Sequence, residues 1–419
     1  MQLHFFTMAV TNPLPPIVLV VRYLMKTKIV ILGAGYAGIL CANRLEKQNQ
    51  NVEIFIVSDS ILFQERIRFH EYAAHTKEKK IPIPNLLRKN IHFVPGKIIK
   101  ILPHANQVMV ETKTGMNHFE YDFLVVSIGS SGIRNHSEDE NSIQSRDALD
   151  QFLANQKSKP LHHVCILGGG LTGIELASEW KEKFPNTNVT LVDQNIFGNR
   201  FSKPGKNHLE KKFKSLGIRI IETIEIKKIV SGKLIFKNNT ELLFDSLLNC
   251  TGFLINPLLR ESGFLTNDRN QIYVDPFLRS KEYQNIFVAG DAAKLEHSTL
   301  RMGCVTALPM GAYVADTITN TLKKKTLSPF SFQFFGRCVS LGRNDGLIQW
   351  TYGDDSPKER VITGKLAALI KETVNRFTIF SLKMEKRVPF RFYFWPKGNL
   401  FESKDFGLGN RKETRRVVN

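Results

Sequence analysis

Two short stretches hold residues whose types and spacing could do chemistry. In the first, Ile29-Val30-Ile31-Leu32-Gly33-Ala34-Gly35-Tyr36-Ala37-Gly38 runs an aliphatic strand straight into G-x-G-x-x-G. Gly33 permits a tight turn, Gly35 lets the backbone approach a pyrophosphate, and Gly38 lets the following helix pack on the strand. Helical spacing of apolar residues over Ile39 to Lys47 supplies that helix, whose N-terminal N–H groups suit phosphate. In the second, Val164-Cys165-Ile166-Leu167-Gly168-Gly169-Gly170-Leu171-Thr172-Gly173 repeats the unit. Asp193 ends the next strand, Val189 to Asp193, twenty residues after Gly173. That is the spacing of a carboxylate that holds a ribose 2′-hydroxyl. The same count from Gly38 lands on Ser58, with Asp59 next, so either Asp59 or the Ser58 hydroxyl is expected at the first ribose. Two such units imply two dinucleotides, or one and a degenerate copy.

The elements that must position these residues recur in order. A buried strand within Glu120 to Ile128 ends at Gly129-Ser130, and Phe244 to Thr251 ends at Gly252. Small-residue turns at a sheet's C-terminal edge let a ligand lie against the backbone. This repeat of fingerprint, strand and closing glycine is the main organisational signal. Further strands are expected at Ile98–Leu102, Gln107–Glu111 and Ile272–Asp275. Asn285 to Ala289 then ends in Gly290-Asp291, a carboxylate at a sheet edge that can accept bonds from a polyol such as a ribityl chain. The helix after it is expected over Met310 to Leu322. Between the first fold's strands, Phe63 to Glu71 reads as a loop or helix start whose Arg66, Arg68 and His70 either approach a phosphate or flavin ring or sit at the surface. Asn135 to Ser145 reads as a polar crossover linker.

Composition narrows the class. With 419 residues, 42% of them hydrophobic, the chain can hold two or three globular domains. The net charge of +19 would suit nucleic acid, but no helix-turn-helix, zinc-finger or RNA-binding aromatic pattern is present, and lysine-rich solvated faces account for most of it. No two of the five cysteines, Cys41, Cys165, Cys250, Cys304 and Cys338, have a metal or redox-pair spacing. Unpaired cysteines suit a reducing compartment, so a cytoplasmic location is expected. Residues 1–24, with Pro13, Pro15 and Pro16 before the short apolar run Ile17–Val21, read as an extension without chemistry.

Residues 328–419 form a third region. Strands are expected over Phe332–Leu341 and Leu347–Tyr352, then an amphipathic helix over Lys365–Lys383. From Gly364 onward 13 Lys and Arg stand against 5 Asp and Glu, and Phe390, Phe392, Tyr393, Phe394 and Trp395 cluster after the helix. That combination fits contact with the inner face of a membrane, or a dimer or interdomain interface.

The order GAGYAG, GGGLTGIELA, CTGF, VDPFLRS and FVAGDAA resembles the two-dinucleotide-binding flavoproteins of the pyridine nucleotide-disulfide oxidoreductase superfamily, from about Lys26 to Pro396. Within it the chain is most similar to the type II NADH dehydrogenase-like and apoptosis-inducing-factor-like branch, through Leu300 to Ala312 and Gly342 to Gln349. The resemblance implies an α/β fold of two Rossmann-type domains, glutathione-reductase-like, with a C-terminal α+β region. It divides the chain into an extension (1–25), an FAD-binding domain (26–135 and 270–325), an NAD(P)H-binding domain (136–269) and a C-terminal interface or membrane-contact domain (326–419). FAD would lie on Gly33, Gly35, Tyr36, Ala37, Gly38, Ser58 or Asp59, Arg66, Gly129, Gly290, Asp291, Thr306 and Ala307. NADH, rather than NADPH, would lie on Gly168, Gly170, Thr172, Gly173, Asp193 and Gly252, because a carboxylate repels a 2′-phosphate. Glu175, near where the two rings would meet, is the candidate for electron or proton handling. No metal is expected.

The implied activity is oxidation of NADH through FAD, with a quinone as acceptor. The alternatives are reduction of a small protein electron carrier and a low-turnover dinucleotide sensor or scaffold. Two departures from the family pattern stand out. The paired redox cysteines of its disulfide reductases are missing, and Val305 and Met310 occupy the places where the quinone-reducing members carry glutamines.

Overall fold

The computed structural model describes residues 26–76, 80–131, 140–142, 146–156, 161–296, 300–398 and 400. The extension 1–24 and most of the Asn135–Ser145 segment lie outside them.

Six strands follow one another in the first fold: β1 (Thr27–Leu32), β2 (Val52–Ser58), β3 (Ile91–Leu102), β4 (Gln107–Thr112), β5 (Gly115–Glu120) and β6 (Phe123–Val126). With the strand Ile286–Val288 they form one sheet, ordered Ile286–Val288, β6, β1, β2, β3, β4, β5. β1 lies centrally and pairs in parallel with β2 and β6. Its residues Ile29 to Leu32 are fully buried, as an all-aliphatic strand covered on both faces must be. The strand expected over Glu120–Ile128 is two elements. Tyr121 and Asp122 break it, because the Asp122 backbone N–H and carboxylate are drawn onto Lys28 at 2.9 and 2.8 Å.

The second sheet has the order Arg219–Ile221, Asn188–Val192, His163–Leu167, Ser246–Asn249, Glu140–Ser142, all parallel. The expected crossover linker therefore contributes an edge strand, Glu140–Ser142, paired with Leu247–Asn249. Among the helices, α1 (Tyr36–Gln48) follows β1 and α2 (Phe69–Ala73) follows a 3-10 turn at Arg66–Arg68. α3 (Leu171–Lys183) and α4 (Lys203–Leu216) serve the second sheet. α5 (Cys304–Leu322) begins six residues earlier than the expected Met310. Pro309 sits inside the helix, and the entry turn is made at Gly303, whose φ is +144°. α5 packs on α1 so closely that a Cβ at Gly311 would lie 2.3 Å from the Ala37 carbonyl oxygen.

The third region is an antiparallel sheet of Gly336–Ser340, Gly346–Thr351 and Pro357–Thr363, crossed by α6 (Gly364–Arg387). Its first strand is shorter than expected because Phe330, Phe332 and Phe334 are buried against the first fold instead. α6 turns Ala367, Asn375, Thr378 and Leu382 inward at helical spacing, together with the carboxylate of Glu385. Glu385 is completely buried and accepts from Arg44 Nε at 2.8 Å and Lys47 Nζ at 2.8 Å. Its other oxygen takes the N–H groups of Phe392 and Tyr393, both at 3.0 Å. Burial would raise this carboxyl, but the two cations hold it below its ordinary value.

Replacing Glu385 strands buried cations, which typically costs about 3–5 kcal/mol. Glu385→Leu is therefore expected to lower the urea unfolding midpoint and to free the 390–395 strap for proteolysis. A midpoint matching wild type would show that the cluster does not hold α6 in place.

Candidate functional site

The two fingerprints solve one backbone problem twice. Gly33 has φ +99° and Gly168 has φ +98°. A Cβ at Gly33 would lie 2.5 Å from the Ser127 carbonyl oxygen, and one at Gly168 would lie 3.2 Å from the Cys250 carbonyl group. Each turn thus leans on the end of its sheet's neighbouring strand. Ser127 reinforces the first by donating to the carbonyls of Leu32 and Gly33 at 2.9 Å. Gly38 and Gly173 admit the helix, since a Cβ would lie 2.0 and 1.8 Å from the carbonyl oxygens of Gly33 and Gly168. Gly35 and Gly170 face open space. Neither α1 nor α3 has a side-chain cap or an acid in its first turn. Both therefore offer free N–H groups toward an anion at the place where a pyrophosphate would lie.

Around the first fingerprint, Arg66, Ser130 and Asp291 converge. Arg66 Nη1 donates to the Ser130 carbonyl at 2.6 Å and lies 3.8 Å from Asp291 Oδ2. Burial lowers its guanidinium below its ordinary range, and Asp291 opposes the shift. Asp291 accepts from the Ser130 hydroxyl at 2.7 Å and the Gly303 N–H at 2.9 Å. Gly129 borders Arg66, and Gly290, at φ +72°, fits between Ala37 and Ala307. Thr306 turns its hydroxyl inward, donating to the carbonyls of Arg301 and Gly303 and tying the entry loop to the helix. Ser58 ends β2 half-buried and Asp59 projects into solvent. Tyr36 and Ala37 are buried under α5, with the Tyr36 ring edge-on to Phe63. Where glutamines occur in related enzymes, Val305 is partly exposed, and Met310 uses its sulfur to accept the Gly290 N–H at 3.2 Å.

Around the second fingerprint, Asp193 bends over the glycine turn and accepts the Gly169 N–H, while its other oxygen takes the Asn195 N–H at 2.6 Å. This carboxylate lies against the glycine turn itself. Thr172 is half-buried and Gly252, at φ +57°, lies at the exposed closing turn.

Glu175 is buried where α3 meets the third region. Its Oε1 accepts from Lys371 Nζ at 3.0 Å and the Ser340 N–H at 3.2 Å, and its Oε2 is 3.6 Å from His70 Nδ1. Burial would raise the carboxyl, but Lys371 and His70 outweigh it, so Glu175 stays below its ordinary value. The Lys371 ammonium, conversely, is held above its ordinary value by Glu175 against the pull of burial. His70, for which the sequence left a surface role open, is 2% exposed. Lys371 and Ser340 escaped the sequence reading. A signal existed for Lys371, which falls four residues after Ala367 and four before Asn375, on the inward stripe of an amphipathic helix.

Two glycine fingerprints, each joining a parallel sheet to an uncapped helix start, together define a two-dinucleotide-binding architecture. The chain belongs to the pyridine nucleotide-disulphide oxidoreductase family, whose model matches residues 27–315. It is 25% identical to a probable NADH dehydrogenase of Dictyostelium discoideum over 406 residues, covering 87% of this chain and 88% of that protein. It is 26% identical to a type II NADH:quinone oxidoreductase of Staphylococcus saprophyticus, covering 85% of this chain and 96% of that one. Among solved structures, the sulfide:quinone oxidoreductase of Aquifex aeolicus matches with a TM-score of 0.73 at 21% identity, over 86% of this chain and 92% of that one. NDH2 of Plasmodium falciparum in complex with NADH matches with a TM-score of 0.72 at 13% identity, over 87% and 100%. The family and branch expected from the motifs are borne out.

Asp291 accepts two hydrogen bonds beside the first glycine turn, from Ser130 and Gly303. Asp291→Ala is expected to weaken FAD retention by about 1.5–3 kcal/mol, measured as the flavin-to-protein ratio after dialysis. Full occupancy in that variant would remove Asp291 from the site.

Proposed function

We propose that this chain is an FAD-dependent oxidoreductase that passes hydride from NADH to FAD and then electrons to a quinone. The observation that carries it is the pair of matched glycine turns, each opening onto an uncapped helix start. The first turn, with Arg66, Gly129, Gly290, Asp291 and Ala307, cradles FAD. The second, with Asp193, Thr172 and Gly252, holds NADH. The flavin supplies the redox chemistry when bound, and the protein orients the rings and excludes water. Glu175, kept ionised by Lys371 and His70 near where the two rings would meet, accepts or returns a proton during turnover.

Steady-state oxidation of NADH with a soluble quinone tests the reading, and Glu175→Gln is expected to slow quinone turnover by about 100-fold. A preparation that holds FAD, oxidises NADH and reduces only a protein carrier would overturn the quinone assignment. NADH is expected to exceed NADPH by about tenfold or more in kcat/KM, and Asp193→Ser to narrow the gap chiefly by improving NADPH. A wild-type preference for NADPH would place Asp193 away from the ribose.

The quinone also explains the outer face of α6. Leu366, Leu369, Phe377 and Phe380 stand exposed along one side, and Phe390 and Phe394 continue the patch beside basic residues. No helix among the described residues is long and apolar enough to cross a membrane. An exposed apolar stripe rimmed with lysine and arginine suits the plane of an anionic lipid surface, where a lipophilic acceptor dissolves. Flotation with anionic vesicles is expected to carry the protein upward at low salt and to lose it at high salt, and Leu369→Glu with Phe380→Glu should abolish it. Equal flotation of that variant would place membrane contact elsewhere.

A further inference from the structure

The imidazole of His70 is wedged between two buried carboxylates on opposite sides of the ring. Nδ1 lies 3.6 Å from Glu175 Oε2, and Nε2 lies 3.9 Å from Glu71 Oε1. The Ser340 hydroxyl adds a bridge, 3.3 Å from His70 Nε2 and 3.4 Å from Glu175 Oε1. Glu71 belongs to a chain of charges that leads outward. It is paired with Arg68 Nη1 at 2.7 Å and lies 3.4 Å from Arg343 Nη1, whose side chain is 39% exposed. Arg68 in turn meets Glu372 of α6 at 2.8 Å. The other charged groups nearby are taken up within the cluster: Lys371 by Glu175 and Glu179 by Arg343 at 2.6 Å. Tyr72 is bonded to Asp150. Among the described residues, the His70 ring thus stands between the buried Glu175 carboxylate and a carboxylate, Glu71, in a network that reaches water.

The proposed reaction needs such a link. Reducing a quinone to a quinol takes two electrons and two protons. NADH supplies the electron pair with one proton as hydride, and the second proton must come from solvent, so that NADH + H⁺ + quinone gives NAD⁺ + quinol. We propose that His70 is a positioning and proton-relay residue, acting through Glu175, that brings this solvent proton inward from the Glu71 side. The ring takes a proton at Nε2 and releases the one at Nδ1 to Glu175, which passes it to the reduced acceptor. Tautomer exchange resets the ring before the next turnover. Rotation of the Glu71 and Glu175 carboxylates closes the 3.9 and 3.6 Å gaps. A relay of this kind is separate from hydride transfer, which consumes no solvent proton.

This inference rests on the quinone reading, and two acceptors separate the two. Ferricyanide accepts electrons alone, so NADH oxidation with it takes up no proton. In His70→Gln, the ratio of quinone to ferricyanide turnover is expected to fall at least fivefold at pH 8, less at pH 6, with a larger solvent isotope effect on the quinone reaction. His70→Asn should repeat the pattern. As a readout independent of turnover, the ring-carbon resonance of His70 should titrate at lower pH in Glu175→Gln than in wild type, because one of its two flanking negative charges is gone. A ratio, pH profile and isotope effect matching wild type, or a parallel loss with both acceptors, would overturn the relay. So would a His70 titration unmoved by Glu175→Gln. A wild type that reduces ferricyanide but no quinone would overturn the quinone reading, and the relay with it.

Discussion

A buried charge must find a partner, and that requirement arranges the three regions of this molecule. α6 carries two charged groups on its inward face, Lys371 and Glu385. Fourteen residues of helix separate them by about 21 Å. Lys371 meets Glu175 of the second fold, and Glu385 meets Arg44 and Lys47 of the first. Each pair would be costly to break and gives modest net stability when intact. What the pairs supply is register. If α6 slid by one turn, both ends would place a charge in an apolar environment. One helix therefore fixes both dinucleotide units against the third sheet, and the flavin and nicotinamide positions against each other. Further polar ties run the same way, from Gln349 to Ser202 at 2.8 Å and from Asp345 to His208 at 3.0 Å.

The same clamp fixes the charge and the orientation of Glu175. It lies in the first two turns of a helix whose N-terminus would face a nucleotide, and an isolated buried carboxylate there would protonate. Lys371 keeps it ionised, and the Ser340 N–H fixes its orientation. The second oxygen is left toward His70. A carboxylate held by one oxygen and free to exchange a proton through the other is suited to pass protons on, whereas one bonded fully on both sides is locked.

The fold was legible wherever local chemistry dictated it. Glycines at Gly33, Gly38, Gly168 and Gly173 can be read because no side chain fits, and the aliphatic run Ile29–Leu32 because only a doubly covered strand tolerates it. Element ends were less legible. The helix expected from Met310 begins at Cys304, with Gly303 making the turn. Asp122 interrupts what reads as one strand through a bond to Lys28, which lies in a different strand. The polar segment before residue 146 hid an edge strand, because three residues at a sheet edge need no apolar pattern. The charge cluster at the site was the least legible. Its members lie near positions 70, 175, 340 and 371, and only the fold brings them together. Spacing betrays Lys371 as inward-facing, but not the acid it meets.

The acceptor side follows from what surrounds this cluster. Val305 and Cys304 occupy the open start of α5, and Met310 has its sulfur committed to Gly290. Burial pushes the Cys304 thiol up to about 11, so it is protonated at neutral pH and not a nucleophile. The cations beside it are already balanced, Arg301 by Asp355 and Lys371 by Glu175. A fixed anion entering there would have to displace that carboxylate and give up its hydration. A neutral, planar acceptor meets no such cost until it is reduced. At that moment it gains negative charge, and the ammonium of Lys371 and the proton on the Glu175–His70 side become favourable. A buried ion pair of this kind costs an uncharged oxidant little on entry and stabilises the charge that develops as the oxidant is reduced.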